Sequence, residues 1–322
     1  MKKSFVLLFI AFLFGPGCRF NIDILGRPAI EEVTLLKSPA REKILVIDIE
    51  GMIMTSGGDS LFNREGDVLS RVYLRLQKAA EDRLVRGVIL RLDTPGGDVT
   101  SSDILYHEIL KFKKKTGLPV VALMMGVAAS GGYYAASACD AIVAHPSTIT
   151  GSIGVISVFP NVSGLLAKVG LEMKVIKSGD LKDAGSPFRE MSPEERQVFQ
   201  RMIDEFYRDF LDVVYENRKD HLSMDELRAI ADGRVYTAEQ ALELRLIDEI
   251  GYFDQALARV QSLASLKAAR VIAYTYYPGR QTNLYAAAPG SPARWPVKKL
   301  EDLLPELRAG FYYLWLPEIE VP

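Results

Sequence analysis

Apolar and polar positions fall into two regimes along the chain. Lys43-Ile-Leu-Val-Ile-Asp-Ile49 is an almost unbroken apolar run of strand length, and Gly87–Leu92, Pro119–Met125 and Ala141–Ala144 repeat the pattern. Runs that are apolar on both faces suit strands inside a covered parallel sheet. Leu171–Lys177 reads as one more strand. Between the runs the period becomes helical. Asp67–Arg86 is amphipathic, a helix follows Asp98 to about Lys115, and Ser192-Pro-Glu-Glu195 opens a long one. There Ser192 is the N-cap, Pro193 sits at N1 and Glu195 closes a capping box. Phe199, Met202, Phe206, Phe210 and Val213 then recur at helical spacing, which predicts a buried face with a structural role. Ala231–Tyr252 reads as strand, turn and helix. Strands alternating with helices argue for βαβ units and a mainly parallel α/β sheet.

The two ends depart from this pattern. Lys2 and Lys3 precede the uncharged apolar stretch Phe5–Phe14, followed by Gly15-Pro-Gly-Cys18. Ten helical residues rise about 15 Å against a hydrocarbon core of about 30 Å, so the stretch reads as an export signal. Small residues before Cys18 point to a lipoprotein cleavage site with lipid on Cys18, although Gly15 stands where such sites usually carry Leu. An uncleaved signal anchor and a plain cleaved signal remain open beside it. All three readings place the bulk of the protein outside the cytoplasm, at or near a bacterial cell membrane. A second uncharged stretch, Leu118–Cys139, is broken by Pro119, Gly126, Gly131 and Gly132, and reads as a buried strand feeding a buried helix. Cys139, nine residues beyond Ser130, falls on the far face of that helix if it is continuous, as a small buried hydrophobe. At the other end, 7 of the 16 prolines lie between Pro278 and Pro322, interleaved with Tyr and Trp. That tail is either a strap on its own domain or an arm docking on a neighbouring subunit. The expected divisions are a signal or anchor over residues 1–18, a linker over 19–42 (most evident in Arg27–Glu42), one domain over 43–277 and the tail over 278–322.

Composition narrows the chemistry. With 322 residues, 48% hydrophobic and 25% charged, the chain is of ordinary globular type. A formal net charge of −2 offers no bulk positive field for nucleic acid. His107, His145 and His221 lie far apart, and Cys18 and Cys139 form no metal-ligand spacing, so no metal and no cofactor is expected. Dinucleotide, phosphate-loop and Gly-x-Ser-x-Gly signatures are absent around the glycine turns.

What remains is a local pattern that occurs twice: apolar strand, glycine pair, helix. One turn is Thr94-Pro-Gly-Gly97, the other Ala129-Ser-Gly-Gly132. Paired glycines let the backbone approach a ligand closely, and two such turns on neighbouring strands can aim N–H groups at one oxygen. Ser130 sits in the second turn. A serine hydroxyl needs a base to attack a carbonyl, and with no histidine nearby the candidate is lysine. A free lysine has a pKa near 10.4, and burial can lower it by about 3 units or more. Lys174, Lys177 and Lys182 all lie near a glycine-containing loop, and spacing alone does not choose among them.

Four motifs occur in order: Asp93-Thr-Pro-Gly-Gly97, Ala129-Ser-Gly-Gly-Tyr-Tyr134, Thr150-Gly-Ser-Ile-Gly-Val155 and Ser178-Gly-Asp-Leu-Lys-Asp-Ala-Gly-Ser-Pro187. Together with Gly233-Arg-Val-Tyr-Thr237 and Leu246-Ile-Asp-Glu-Ile-Gly251 they resemble bacterial signal peptide peptidase A over roughly Lys43–Gln261. The resemblance implies a Clp-protease/crotonase-like fold and a serine–lysine peptidase. Carried over, Ser130 matches the nucleophile, Lys182 the base, Ser152 the hydroxyl that orients the lysine, and Gly97 and Gly131 the oxyanion donors. A single catalytic copy resembles the family's short form. That form implies a homo-oligomeric ring in which serine and lysine of one site come from neighbouring subunits, with signal peptides and other short apolar peptides as substrates. Arg245 stands where the family usually closes a helix with Gly. The competing readings are an inactive membrane scaffold of the same fold and a crotonase-type acyl-CoA enzyme.

Overall fold

The apolar runs become the inner strands of one sheet. The computed structural model describes residues 30–55, 67–276, 284 and 310–315. In chain order the first elements are β1 (Glu31–Leu36), β2 (Lys43–Glu50), α1 (Val68–Glu81), β3 (Val85–Thr94), β4 (Gly96–Asp98), α2 (Val99–Thr116), β5 (Val120–Ala129) and α3 (Gly131–Ala136). Next come β6 (Ala141–Ala144), β7 (Ile149–Gly151), β8 (Ile156–Val158), α4 (Ser163–Lys168), α5 (Pro193–Arg218) and α6 (Met224–Ile230). The last are β9 (Val235–Thr237), α7 (Ala238–Glu243), β10 (Glu249–Ile250), α8 (Phe253–Leu263), β11 (Arg270–Thr275) and, in the tail, β12 (Gly310–Leu314).

Among the described residues nine strands form the main sheet in the order β1-β11-β2-β3-β5-β6-β10, with β7 beside β5 and β9 beside β7. The strands from β11 to β10 run parallel, while β1 is antiparallel to β11 at the edge. β5 pairs in two stages. Val121–Met124 pair with β6, and Val127–Ala129 continue past the end of β6 to pair with β7. That extension carries the chain out at the carboxyl ends of the strands, where open α/β sheets place their ligands.

Both faces of the sheet are covered. Ile44, Val46, Ile89, Val121 and Leu123 pack on Phe253, Ala256 and Val260 of α8. Strand alternation turns Leu45, Ile47, Leu90, Ala122 and Met124 to the opposite face, where they are also buried. There α1 packs along β2, and α3 packs along β3 and β5. The predicted start of α5 is present: Ser192 and Glu195 form the reciprocal capping box, with Pro193 in the first turn.

Several expectations are corrected. Leu171–Lys177 forms no strand, and every residue in it is exposed. Its Leu-x-Met-x-Val alternation suits a strand, but among the described residues no strand pairs with it to receive its ladder bonds. The segment read as linker contains β1, held to β11 from Glu31↔Thr275 to Leu36↔Val271. The stripe on α5 is buried only in its second half. Phe210 is in the core, as is Val214 beside the predicted Val213, whereas Met202 is 40% exposed and Phe199, Phe206 and Val213 are half-buried. α3 ends at Ala136, so Cys139 is not on a continuous helix, and the residue is half-buried rather than buried; loss of water around its thiol still pushes it up to about 12. Arg245 does adopt the left-handed backbone, with φ 59°. The export segment and Cys18 lie outside the described residues. Among the described residues no helix is long and apolar enough to cross a membrane.

Candidate active site

The two glycine turns meet because their strands are neighbours. β3 and β5 pair in parallel, with Thr94 opposite Ala128, so Pro95-Gly-Gly97 and Ser130-Gly-Gly132 leave the sheet side by side. The space between them admits no side chain. A Cβ on Gly97 would lie 1.8 Å from the Ile53 carbonyl oxygen. A Cβ on Gly131 would lie 2.3 Å from Ser102 Oγ and 3.2 Å from the Gly97 nitrogen. The two backbone amides are therefore neighbours, as the doubled pattern predicts.

Ser130 is held in a conformation that few residues adopt. Its φ is 52° and ψ −116°, an arrangement costing about 1–3 kcal/mol for a residue with a side chain. Its N–H donates to the Gly151 carbonyl at 2.8 Å, and its carbonyl accepts from the Tyr134 N–H at 2.8 Å. The residue is 1% exposed, yet among the described residues its Oγ has no hydrogen-bond partner. Ser152 directly follows Gly151, at φ 50°. Its N–H donates to the Arg234 carbonyl at 2.8 Å. The structure thus brings Ser130, Ser152, Gly97 and Gly131 into one small region.

It does not bring Lys182 there. Lys182 lies on an exposed loop of consecutive turns, its N–H donating to the Gly179 carbonyl at 3.1 Å. That loop is anchored to the start of α5. The Asp183 carboxylate accepts from Lys177 Nζ at 2.7 Å and Arg189 Nη2 at 2.8 Å. Arg189 also donates to Glu195, the capping residue of α5, with Nη1 at 3.0 Å. Hydrogen bonds from Arg189 and then Lys177 hold the Asp183 carboxyl well below the usual carboxylate range. Of the other candidate lysines, Lys177 is committed to this network, and Lys174 faces Glu172 at 3.8 Å with both side chains exposed.

Two features of the site escaped the sequence reading. Ser102, 0% exposed and with Oγ unpartnered among the described residues, packs against Gly131; its only signal is its place five residues beyond Gly97. The tail also returns to the site. β12 lies between β4 and β8, antiparallel to both, with Tyr313 opposite Gly97 and Tyr312 opposite Ile156. Trp315 N–H extends the pairing to the Pro95 carbonyl at 2.9 Å, and Ser157 Oγ donates to the Gly310 carbonyl at 2.7 Å. For this segment the strap on its own domain is the arrangement observed.

A buried hydroxyl beside paired backbone donors can carry acyl transfer to and from a carbonyl, and similarity to known proteins makes the class a peptidase. Residues 112–267 match the peptidase family S49. A protein of Enterococcus faecium, provisionally named signal peptide peptidase SppA, is 38% identical over 249 residues, covering 77% of this chain and 72% of that protein. A protein of Methanocaldococcus jannaschii, provisionally named a protease, is 35% identical over 280 residues, covering 85% of this chain and 87% of that protein. Protease 4 of Haemophilus influenzae is 34% identical over 223 residues, covering 69% of this chain and 35% of that longer protein. The chain belongs to peptidase family S49, the signal peptide peptidase A family, and has its Clp-protease-like α/β fold.

Proposed function

We propose that the chain is a membrane-held serine endopeptidase that degrades cleaved signal peptides and other short, unfolded apolar peptides. Lys182 takes the Ser130 proton as Oγ adds to the peptide carbonyl. The oxyanion accepts hydrogen bonds from the Gly97 and Gly131 N–H groups, and the Ser152 hydroxyl orients the lysine. Collapse breaks the C–N bond, the lysine ammonium returns its proton to the departing amine, and the acyl group stays on Oγ. Water, deprotonated by the same lysine, then hydrolyses the ester. The observation that carries this reading is Ser130 itself: a strained, 1% exposed serine whose hydroxyl has no partner among the described residues, beside two crowded glycine amides.

In this reading the base comes from a neighbouring copy in a ring of identical subunits. Leu165, Val169, Leu171, Met173, Val175 and Ile176 are all at least 46% exposed, an apolar run leading into the Lys182 loop that supports a covering partner. Seating Lys182 against a buried Ser130 strips its ammonium of water, the condition under which a lysine gives up its proton more readily. The N-terminal segment, through lipid on Cys18 or as an anchor, supplies the membrane attachment.

The test uses the full chain, a fluorogenic apolar peptide and a serine-reactive phosphonate probe. Ser130→Ala and Lys182→Ala each lower kcat by on the order of 10³-fold or more, and the probe labels Ser130. Mixing the two inactive variants restores part of the activity, because some contacts then pair an intact serine with an intact lysine. Full activity in either variant overturns the dyad, and no recovery on mixing overturns the shared site.

A further inference from the structure

The parallel strands all begin at the end of the sheet opposite the Ser130 turn, and that end carries an excess of cations. Arg270 stands opposite Lys43, Lys43 opposite Val85, Val120 opposite Val88 and Ala141 opposite Val121, so β11, β2, β3, β5 and β6 start nearly level. α1, α2 and α8 end there too, at Glu81, Thr116 and Leu263, each leading into the next strand. On and beside these connections Arg41, Arg83, Arg86, Lys114, Lys115 and Lys267 are all exposed. Among the described residues none of the six is in an ion pair. Two acids at this end are already paired: Asp82 faces Lys43 Nζ at 2.8 Å and Asp140 faces Lys113 Nζ at 3.0 Å. Glu42 and Glu81 do not balance the six cations. In a chain whose formal net charge is −2, such an excess at one end leaves the rest of the molecule acidic, and it gives this end a field that attracts anionic surfaces.

Helix ends explain only part of this. A helix C-terminus carries partial negative charge that cations offset, and Lys114 and Lys115 lie in the last turn of α2. Arg41, Arg83, Arg86 and Lys267 lie outside any helix. A soluble polyanion would need the cations alone, but this face also exposes leucines. Leu36 at the end of β1 is 40% exposed, Leu84 beside Arg83 is 37% exposed, and Leu263 at the end of α8 is 43% exposed. Leu36 stands opposite Val271, and the Leu84 carbonyl accepts from the Lys43 N–H at 2.8 Å, so these leucines lie at the level of the strand starts. Exposed leucines set among cations are what a surface resting in the headgroup layer of an anionic bilayer requires.

We propose that this end of the sheet docks on an anionic phospholipid bilayer, with the leucines entering the headgroup layer and the cations meeting lipid phosphates. The contact comes from the folded domain and is separate from the attachment through the N-terminal segment proposed above; it holds whether or not the chain cleaves peptides. β5 runs 10 residues from this end to the Ser130 turn, a rise of about 30 Å. A peptidase docked this way keeps its serine in water, clear of the lipid, and takes peptides that have left the bilayer.

Because the N-terminal segment can hold the full chain on a bilayer of any charge, the experiment reads contact of the face itself. Leu84→Trp in the full chain places an indole among the cations, and the emission of Trp295 and Trp315 is subtracted with the unsubstituted chain. On vesicles of brominated phosphatidylcholine containing about one third phosphatidylglycerol the indole emission shifts to the blue and is quenched. On brominated phosphatidylcholine alone, or in about 0.5 M salt, it is not. Adding Lys114→Gln and Lys115→Gln weakens docking by about twentyfold and abolishes most of the quenching. Arg196→Gln with Arg201→Gln removes the same charge from exposed positions on α5 and leaves the quenching in place. Thermal unfolding of each variant confirms an intact fold. Quenching that ignores lipid charge, or that falls equally with the α5 pair, overturns the proposal. Binding of soluble polyphosphate by a chain whose indole stays unquenched on phosphatidylglycerol vesicles also overturns it, and assigns the cations to a soluble polymer instead.

Discussion

Gly131→Ala places one methyl group in the corner on which the oxyanion reading depends. Gly131 is not among the residues at positive φ, so alanine is opposed there by space rather than by backbone conformation. The new carbon would sit 2.3 Å from Ser102 Oγ, about 1 Å inside ordinary van der Waals separation. α3 begins at Gly131 and is buried throughout, so the turn itself must give way. Oxyanion donors act within about 2.7–3.1 Å of the oxygen, and a shift of about 1 Å removes one of the two. The expected loss is about 10²–10³ in kcat, equivalent to about 2.7–4 kcal/mol. Ser102→Ala removes the oxygen that causes the clash. Because Ser102 Oγ is buried without a partner among the described residues, that change alone costs less than about 1 kcal/mol of stability. In the double variant the methyl faces Ser102 Cβ and the Gly97 nitrogen, each at 3.2 Å, and about tenfold of the lost kcat returns as a coupling energy between the two sites. The assay is a double-mutant cycle in kcat for an apolar peptide, with thermal unfolding run on each variant. A Gly131→Ala chain that melts earlier but keeps kcat within about threefold refutes the assignment of this amide, as does a double variant with no recovery.

Two further outcomes follow from groups outside the site. Asp248 accepts from Arg218 Nη1 at 2.7 Å and from the Ile142 N–H at 2.6 Å, and the Arg218 side chain is 6% exposed. Asp248→Ala leaves a buried guanidinium unpaired and destabilises by about 3–5 kcal/mol, a fall in Tm on the order of 10 °C; adding Arg218→Met recovers much of it, and a fall under about 2 °C contradicts this account. Burial pushes the Cys139 thiol from 9.0 to about 12, so Cys139 in the native chain resists iodoacetamide at pH 8 and reacts once the chain is unfolded, as mass spectrometry of the Cys139 peptide reads. The sign is that of a raised acid: its contribution is intact below pH 9 and declines as pH rises from 9 towards 12, where only the unfolded thiol ionises. Denaturant midpoints at pH 8 and 10, in the chain and in Cys139→Ala, isolate that decline.

The inner strands were legible because each is apolar on both faces and too short for a helix, and their sheet neighbours supply what such runs need. The start of α5 was legible because a capping box is a purely local exchange of hydrogen bonds. Ser130, Gly97 and Gly131 were legible as a pattern, since a glycine pair after a strand marks crowding wherever it occurs. What was not legible depends on partners remote in sequence. Glu31–Leu36 is a strand only because β11, more than 230 residues later, offers an edge. Leu171–Lys177 has the alternation of a strand but no such edge among the described residues. Half of the α5 stripe packs on β12 rather than in the core, and periodicity cannot tell an aromatic wall for a strand from one for a sheet. The tail's prolines and aromatics signalled packing, but the five residues that enter the site are marked by nothing local.

β12 also bears on how separate the molecules stay. Among the described residues β8 has no strand neighbour other than β12, and β4 has only the isolated Ile53–Gly97 bridge on its other side. With Gly310–Leu314 in place, both inner edges are hydrogen-bonded and the aromatic wall of α5 is covered. With it displaced, two short open edges stand beside Phe and Tyr side chains, the combination from which edge-to-edge association begins. The tail strand thus works as a stopper against aggregation, satisfying both short edges at once.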